Sequence, residues 1–599
     1  MPNILSDLIS IQSQKHADRT AYCIKDKDEW KPVTWNNFDL MVSYAANALA
    51  LLGIEESDRI AVFSQNRHEI LISDFASYRN RVVPVSIYST SSYEQVSYII
   101  NDAGTRVIFT GDQAQYRMAH QVQKQAGHAF TIVTYDNVTR DKDDKTTLSW
   151  DEFIALGKSA AESTVKTVND RTTHALDTDI ATIIYTSGTT GEPKGAVLPH
   201  SCFNAAMLIH RERLTMLSDN DTSLCFLPLS HIFEKAWTYF CLYSDIVVYI
   251  NTDPHDIQNS IKQVRPTCMC SVPRFWEKVY TAVQEKLMNM RGPKKWLASA
   301  AMKAGKKRNL HYHRLGLKVP RLLEWRYRFF EKHVFKPIQK AIGVENGNIF
   351  PTAGAPLSPT IVEFFQSCGI NIIIGYGLSE TCATVSCYPT TDYIIGSVGT
   401  TMPEVQIKIG ADNEILVKGP TVMSGYYNKP KETAEAFTAD GWFRTGDAGK
   451  IDAEGNLTLT ERIKDLFKTA NGKYIAPQAL ESRLGEDKYI EQVAVIGDKR
   501  KYVTAIIIPA FEALKEYARK KHIKYKSIED LIKNADIKAM LQQRIDKLQA
   551  KFAGYEQIKK FTLLPQAFSM ESGELTNTLK IRRPIITNRY AKVIESMYA

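Results

Sequence analysis

Short apolar segments alternate with longer amphipathic ones between residues 58 and 111. The stretches RIAVFS, VVPVSIY and RVIFTG have the composition of buried strands, and the segments NRHEILISDFASYRN and SSYEQVSYIINDAG between them have helical spacing. Strands that alternate with helices in this way form parallel sheets with helices on both faces. The alternation predicts an α/β fold, and ligands of such sheets bind at the carboxyl ends of the strands.

The composition of the chain changes after residue 452, where glycines and charged residues separate short strand-like segments. Further on, VAVIGDKRKYVTAIIIP predicts a hairpin beside helices. A chain of 599 residues is also longer than one hydrophobic core usually supports. We therefore predict a large N-terminal domain at 1–463 with parallel βαβ sheets and a small α+β C-terminal domain at 464–599.

Composition and targeting signals point to a cytoplasmic protein. The nine cysteines are scattered without metal or redox spacing, which favours a reducing compartment. No apolar run reaches the ~18–20 residues of a membrane span, and the first twenty residues lack the pattern of a secretory signal. We expect a cytoplasmic location, with peripheral contact at the inner membrane surface left open.

The net charge of +9 is unevenly distributed along the chain. Between residues 285 and 340 there are 16 Lys/Arg against 3 Glu, a net charge of +13, and several tryptophans and phenylalanines lie among them. A basic and aromatic region can bind a membrane surface, and it can equally be a solvated helical pair on the exterior of the protein. No nucleic-acid-binding motif accompanies the charge, so we expect no nucleic-acid partner.

The segment IIYTSGTTGEPKGAVLPH, residues 183–200, places six small or hydroxyl residues and a lysine after the apolar run IATIIYT. It is not a Walker A loop, because Pro193 precedes Lys194 and Gly195 follows it. Consecutive small residues can still form a concave nest of backbone N–H groups that binds an anion. A plain surface turn is the alternative.

The whole string YTSGTTGEPKG resembles the phosphate-loop signature of the adenylate-forming superfamily, which includes the acyl-CoA synthetases. Further signatures follow in the order of that family: TAGAPL, GYGLSET, GWFRTGD, ERIKDLFKTANGKYIAPQALE and GELTNTLKIRR. The resemblance covers nearly the whole chain. It implies a large adenylating domain, a small mobile domain, and a reaction that uses ATP, Mg²⁺ and coenzyme A to convert an acid to acyl-AMP and then to a thioester.

The resemblance also assigns residues to the phosphates and the metal. Glu380 matches the metal-binding glutamate of the family, an oxygen ligand that suits a hard cation, and Thr186 is expected to contribute to the same site. Ser379 stands where the family usually has threonine, within expected reach of the α-phosphate. The β- and γ-phosphates are expected to bind Thr186, Ser187, Gly188, Thr189, Thr190, Gly191 and Lys194.

The nucleoside is assigned to three further motifs by the same resemblance. Tyr376 is expected to stack on adenine, and Asp447 is expected to accept hydrogen bonds from the ribose hydroxyls with support from Arg462. The flanking glycines of the tyrosine and the opposite wall of the adenine pocket are expected to be Gly375, Gly377, Gly354, Ala355 and Pro356.

Lys580 is the predicted catalytic residue of the small domain, where its ammonium would stabilise charge on the carboxylate and the α-phosphate. Family behaviour implies that the small domain rotates after adenylation about a hinge at Lys464. The rotation would bring the KTANGKY loop, with Gly472 and Lys473, to the active site. His231 in LPLSHIFEK is expected to line the acyl entrance, with a satisfied core histidine as the alternative.

Three features favour a long-chain fatty acid as the substrate. VPRFWEK and the Thr-Leu-Lys ending at residue 580 resemble the long-chain branch of the family, and the basic insertion at 285–340 is also common there. A ligase for another carboxylic acid and an acyl-AMP ligase that loads a carrier protein remain alternatives. A lipid-surface scaffold without catalysis would have lost the residues named above, and all of them are present.

Overall fold

The computed structural model describes residues 4–186, 192–463, 466–471, 473–570, 572–576 and 580–599, and its architecture is α/β as predicted. The four apolar runs predicted as strands match observed strands to within one residue at each end. The strands of the first 200 residues are β1 (Thr20–Asp26), β2 (Glu29–Thr34), β3 (Arg59–Phe63), β4 (Val83–Ile87), β5 (Val107–Thr110), β6 (Thr131–Thr134), β7 (Leu148–Ser149), β8 (Ile180–Thr186) and β9 (Lys194–Pro199).

The later strands are shorter on average. They are β10 (Thr222–Cys225), β11 (Val247–Ile250), β12 (Phe350–Thr352), β13 (Ile372–Tyr376), β14 (Ser386–Cys387), β15 (Thr400–Thr401), β16 (Gln406–Ile409), β17 (Glu414–Lys418), β18 (Gly425–Tyr426), β19 (Phe443–Ile451) and β20 (Leu457–Arg462). In the last third of the chain they are β21 (Phe467–Lys468), β22 (Tyr474–Ile475), β23 (Ile490–Ile496), β24 (Val503–Pro509) and β25 (Ile558–Leu563).

Helices cover the sheets, and none of those described has the length and apolar character needed to cross a bilayer. Up to residue 213 they are α1 (Ile4–His16), α2 (Trp35–Leu51), α3 (His68–Arg79), α4 (Tyr93–Ala103), α5 (Gln113–Gln123), α6 (Trp150–Lys158), α7 (Glu162–Thr173) and α8 (His200–Arg213). Up to residue 436 they are α9 (Ile232–Tyr243), α10 (Ile257–Val264), α11 (Pro273–Met288), α12 (Gly292–Gly305), α13 (Arg321–Phe330), α14 (Lys336–Ile342), α15 (Pro359–Ser367) and α16 (Pro430–Ala436). The remaining helices are α17 (Pro477–Leu484), α18 (Phe511–Lys520), α19 (Ile528–Lys533), α20 (Ala535–Gln549), α21 (Arg583–Arg589) and α22 (Ala591–Tyr598).

Local sequence explains where these helices begin and end. Helix α4 starts after Ser92, whose side chain accepts a hydrogen bond from the backbone N–H of Gln95, while the Gln95 side chain accepts one from the backbone N–H of Ser92. This capping box satisfies two N–H groups that the helix itself cannot. The helix ends at Gly104, which adopts a left-handed conformation with φ of +60°.

The largest sheet has eight strands in the order β18-β9-β8-β4-β3-β5-β6-β7. The six strands from β8 to β7 are parallel to their neighbours, and β8 is buried on both faces, which explains its nearly continuous apolar sequence. Strands β9 and β18 are antiparallel additions at the edge. The sheet is therefore mixed: the residues between β8 and β9 are too few for a crossover helix, so these two strands pair antiparallel.

Three smaller sheets complete the part of the chain before residue 464. Their strand orders are β10-β11-β1-β2, β12-β13-β14-β15 and β16-β17-β19-β20. In the second of these, β12 and β13 are parallel, so their carboxyl ends lie at one edge. In the third, the strands are all antiparallel.

The last part of the chain has its own core. Strands β23 and β24 form the predicted antiparallel hairpin, and β25 adds parallel to β24. The two apolar clusters of this part consist of residues between Phe467 and Tyr598, whereas those of the large part end at Leu459. All nine cysteines lie in the described part of the chain and are buried as free thiols.

A buried ion pair attaches α9 to α3. The Lys235 ammonium lies 2.5 Å from an oxygen of Asp74, and both side chains are 1% exposed. The Tyr239 hydroxyl donates to the same carboxylate at 2.8 Å and lies 3.0 Å from the hydroxyl of Tyr78. The pair holds in place the helix that follows His231.

Removing one member of this pair should destabilise the large domain strongly. Asp74→Ala leaves the Lys235 ammonium buried without its carboxylate, which typically costs about 3–5 kcal/mol. Scanning calorimetry should record a clear fall in the Tm of the main transition. The control is Asp440→Ala, which removes the exposed partner of Lys408 at 2.8 Å and should cost less than about 1 kcal/mol. Equal effects of the two substitutions would contradict the assignment.

Candidate active site

The hairpin of β8 and β9 carries the two ends of the predicted phosphate loop. Thr186 and Lys194 are directly opposite in the antiparallel register, and the Thr186 hydroxyl donates to the Lys194 carbonyl at 3.4 Å. The predicted phosphate ligands Ser187, Gly188, Thr189, Thr190 and Gly191 lie outside the described residues. The described part of the hairpin thus places Thr186 and Lys194 at the mouth of the loop.

Tyr426 joins Lys194 to Glu380, a role that sequence reasoning missed. Its ring centroid lies 5.2 Å from the Lys194 ammonium, and its hydroxyl donates to a Glu380 carboxylate oxygen at 2.9 Å. Burial, and secondarily the Glu380 charge, raises the pKa of the Tyr426 hydroxyl, so the phenol stays a donor. The segment SGYYNKP gives no chemical signal of its own. Only the pairing of β18 with β9 brings the tyrosine to the site.

Glu380 is half-buried, and its backbone carbonyl accepts a hydrogen bond from Met423 at 2.8 Å. This contact fixes the loop that carries the carboxylate, and the side chain keeps a partly accessible surface. A fixed and partly accessible carboxylate is the kind of ligand that Mg²⁺ uses together with phosphate oxygens. The donor chemistry of Glu380 and Thr186 therefore fits the predicted metal.

The predicted walls of the adenine pocket lie at one edge of a sheet. Because β12 and β13 are parallel, the segment 354–356 after β12 and the tyrosine at the end of β13 emerge side by side. Gly354, Ala355 and Pro356 are exposed, and Tyr376 is buried. At Gly377 a Cβ would lie 1.5 Å from the Ala383 carbonyl oxygen, which explains the glycine there.

Tyr376 and Asp447 are joined by a direct hydrogen bond. The Tyr376 hydroxyl donates to an Asp447 oxygen at 2.8 Å, and burial followed by the Asp447 charge raises the pKa of that hydroxyl. Arg462 lies opposite Asp447 in the pairing of β19 with β20, and its Nε is 3.7 Å from the other carboxylate oxygen. The structure thus brings the predicted adenine and ribose residues together. Ser379 and Gly375 flank Tyr376 in the same segment.

His231 occupies the N-cap of α9. Its Nδ1 accepts a hydrogen bond from the backbone N–H of Phe233 at 3.2 Å, which assigns the ring proton of the neutral form to Nε2. Burial, followed by the charge of Lys580, lowers the pKa of His231 to about 4, so the imidazole is neutral at physiological pH. The charge of Lys580, in the C-terminal part of the chain, thus acts on His231 in the direction that favours the neutral imidazole.

Lys580 has an exposed side chain, and its backbone N–H donates to the Thr576 hydroxyl at 3.0 Å. Its neighbour Arg583 is engaged elsewhere: the guanidinium donates to Glu481 at 2.6 Å and to the Val495 carbonyl at 2.7 Å. Arg583 therefore stabilises the C-terminal part by these hydrogen bonds, which makes it a poor alternative to Lys580 for the predicted catalytic role.

A buried glutamate near His231 was also missed by sequence reasoning. Glu234 is fully buried and accepts hydrogen bonds from the Leu227 N–H at 3.1 Å and the Thr238 hydroxyl at 3.4 Å. Burial raises the pKa of its carboxyl to about 8, so the group is mostly protonated at neutral pH. It connects the segment before His231 to the first turn of α9.

The remaining residues are those predicted to act in the second step. Lys464 and Gly472 lie outside the described residues. Lys473 is exposed immediately before β22, and its ammonium lies 5.6 Å from the ring centroid of Tyr555 in the same part of the chain. An ion pair links the two parts, with Arg274 of α11 3.7 Å from Glu491 of β23.

Comparison with known proteins identifies relatives along almost the whole chain. A long-chain-fatty-acid–CoA ligase, FadD15, of Mycobacterium tuberculosis is 32% identical over 95% of this chain and 92% of its own length. The peroxisomal long chain acyl-CoA synthetase 7 of Arabidopsis thaliana is 29% identical over 92% of this chain and 79% of its own length.

Solved structures share the fold. The A-PCP didomain of a carboxylic acid reductase from Segniliparus rugosus, in complex with AMP, superposes with a TM-score of 0.77 at 20% identity, covering 99% of this chain and 82% of that one. The anthranilate CoA ligase AuaEII with anthranoyl-AMP gives a TM-score of 0.72 at 18% identity, covering 99% of this chain and 98% of that one.

The profile of the AMP-binding enzyme family matches residues 9–427, and that of the AMP-binding enzyme C-terminal domain matches 464–599. The chain therefore belongs to the AMP-binding enzyme family.

Proposed function

We propose that this enzyme is a long-chain fatty acid–CoA ligase. In the first step a carboxylate oxygen of the acid attacks the α-phosphorus of ATP, and pyrophosphate leaves. In the second step the thiol of coenzyme A attacks the acyl carbonyl, and AMP leaves. The observation that carries the proposal is that relatives 26–32% identical across 92–100% of this chain are named as long-chain fatty acid–CoA ligases or acyl-CoA synthetases.

The triphosphate is proposed to bind the loop 187–191 between Thr186 and Lys194. Glu380 and Thr186 would hold Mg²⁺, which neutralises phosphate charge when it is bound. Tyr426 supports this assignment, because its ring lies beside the Lys194 ammonium and its hydroxyl donates to Glu380. Positioned charges of this kind stabilise the transition state of phosphoryl chemistry without reorganisation.

The adenosine is proposed to bind between Tyr376 and the segment 354–356, with its ribose on Asp447. The hydrogen bond between the two side chains supports this, because it holds the tyrosine ring in one orientation before a nucleotide arrives. Arg462 faces the same carboxylate, with its Nε 3.7 Å from the other oxygen. Ser379 would contact the α-phosphate.

Lys580 is proposed to stabilise the charge that develops between carboxylate and α-phosphate in the first step. Its effect on His231, the proposed acyl-entrance residue, supports this placement. For the second step we propose a rotation about Lys464 that replaces Lys580 with the loop of Gly472 and Lys473. The separate apolar cores on either side of residue 464 support a boundary between domains at 1–463 and 464–599.

The proposed partners follow from the substrate. A long-chain acid is amphipathic and partitions into bilayers, so we propose a cytoplasmic enzyme that contacts a membrane peripherally through the basic region 285–340. The charge of that region, 16 Lys/Arg against 3 Glu, supports the contact.

The activity can be tested by measuring AMP release from ATP and Mg²⁺ with acids from butanoate to eicosanoate, with and without coenzyme A. We expect AMP and acyl-CoA in equal amounts, with the highest kcat/KM at dodecanoate or longer. A maximum of kcat/KM with short or aromatic acids would refute the long-chain specificity and leave the two-step reaction standing. Accumulation of acyl-AMP that ignores coenzyme A would favour the loading of a carrier protein.

Tyr426→Phe should raise the KM for Mg·ATP. The substitution keeps the ring beside Lys194 and removes the hydrogen bond to Glu380. Because the free energy of a hydrogen bond to a charged group is large, its loss should lower kcat/KM roughly tenfold. The matched control is Tyr427→Phe at the next position, which should change kcat/KM less than about twofold. Similar kinetics for Tyr426→Phe and the wild type would show that this tyrosine does not position Glu380.

A further inference from the structure

The basic insertion is firmly seated on the large domain. Its inner face buries Tyr327, Phe330 and Phe335, and the Asn309 side chain donates to the Gln366 carbonyl at 2.8 Å. At Gly305 a Cβ would lie 2.1 Å from the Ser367 carbonyl oxygen, so the backbones approach closely there. The apolar residues on its outer face are therefore exposed on an ordered element.

The outer face of α13 is apolar as well. Leu322, Trp325 and Phe329 have the i, i+3, i+7 spacing that places them on one side of the helix, and they are 70%, 69% and 47% exposed. Trp296 on α12, which packs against α13, is 72% exposed. Among the large apolar side chains of the described residues, Trp296, Leu322 and Trp325 are the three most exposed. A cluster of this kind marks an interaction surface.

Exposed cations flank these apolar residues. Lys294 and Lys295 precede Trp296, and Arg321 and Arg326 lie next to Leu322 and Trp325. The one glutamate within α13, Glu324, is neutralised locally by Arg308 at 2.7 Å and by Arg328 at 3.4 Å. The outward charge of the face is therefore positive.

The three consecutive cations 306–308 form the densest run of charge in the insertion, and two of them pair with carboxylates of the protein. Lys306 pairs with Glu363 at 2.7 Å, and Arg308 pairs with Glu324 and lies 4.3 Å from the ring centroid of Tyr327. Lys306 thus links the insertion to α15, and Arg308 links two segments of the insertion. The exposed cations that adjoin the exposed apolar residues in the chain are Lys294, Lys295, Arg321 and Arg326.

We propose that the face formed by Leu322, Trp325 and Phe329 of α13, together with Trp296 of α12, docks the enzyme on an anionic lipid surface. Tryptophan and leucine side chains enter the interfacial region of a bilayer, and neighbouring lysines and arginines bind anionic headgroups. A second copy of the chain would oppose two basic faces and be repelled. The inference rests on the proposed function in one respect, because a long-chain acid is a substrate that resides in a bilayer.

Flotation of the full chain with vesicles tests the docking without turnover. The wild type should bind vesicles of equal parts phosphatidylcholine and phosphatidylglycerol, and bind pure phosphatidylcholine at least tenfold more weakly. The variant Leu322→Ser/Trp325→Ser should lose at least tenfold in partitioning to the anionic vesicles. The matched control is Leu40→Ser/Leu51→Ser on α2, two leucines that are 47% and 42% exposed; it should bind like the wild type.

The charged residues have a separate test. Lys294→Gln, Lys295→Gln, Arg321→Gln and Arg326→Gln combined should weaken binding at least tenfold, and so should added salt, since salt screens exposed charges. Each variant should keep the wild-type kcat/KM on a short acid dissolved in water. This control separates the docking face from the proposed function, because a wild type that binds vesicles and has no ligase activity would refute the proposed function alone.

Undiminished binding of Leu322→Ser/Trp325→Ser would overturn the docking face. So would a dimer of the wild type that this variant abolishes.

Discussion

The antiparallel pairing of β9 with β18 is the constraint on which the site depends. Gly425 and Tyr426 lie opposite Val197 and Ala196, and the backbone N–H of Tyr427 donates to the Gly195 carbonyl at 2.8 Å. This pairing joins segments separated by more than two hundred residues and so places a tyrosine between a lysine and a glutamate from two other motifs. Without it, the charges proposed for triphosphate and metal would not be joined through Tyr426.

A second constraint is that the predicted site residues belong to two separate cores. Each part of the chain folds around its own apolar clusters, and Arg274 of the first part forms an ion pair with Glu491 of the second. Interfaces of this kind permit relative motion of domains. In the proposed mechanism, Lys580 is therefore withdrawn without disruption of either core, as two different steps require.

The sequence predicts much of this architecture because its signals are local. The strand at Ile180–Thr186 follows from a continuous apolar run, and the predicted nucleotide residues follow from motifs that resemble those of the adenylate-forming superfamily. Tyr426 and the protonated Glu234 could not be predicted, because their roles depend on pairing and burial between distant segments. The mixed character of the large sheet was missed because an apolar run does not encode strand direction.

The distribution of charge is a second property that the sequence predicts only in part. The excess of lysine and arginine at 285–340 is visible in the sequence, but the sequence does not tell which cations are used internally. In the structure Lys306 and Arg308 pair with Glu363 and Glu324, and Lys294 and Arg326 are exposed near tryptophans in the sequence without such a pairing partner beside them in α12 or α13. A count of charges predicts that a surface exists, and only tertiary structure locates it.

The two half-reactions of Lys580→Ala test the central claim most directly. Removal of the ammonium should lower ATP–pyrophosphate exchange with palmitate by about a hundredfold or more, the usual effect of deleting one transition-state charge. Conversion of synthetic palmitoyl-AMP and coenzyme A to palmitoyl-CoA should stay within about threefold of the wild type, since Lys580 would be withdrawn in that step. Equal losses in both half-reactions, or no loss in the first, would contradict the account.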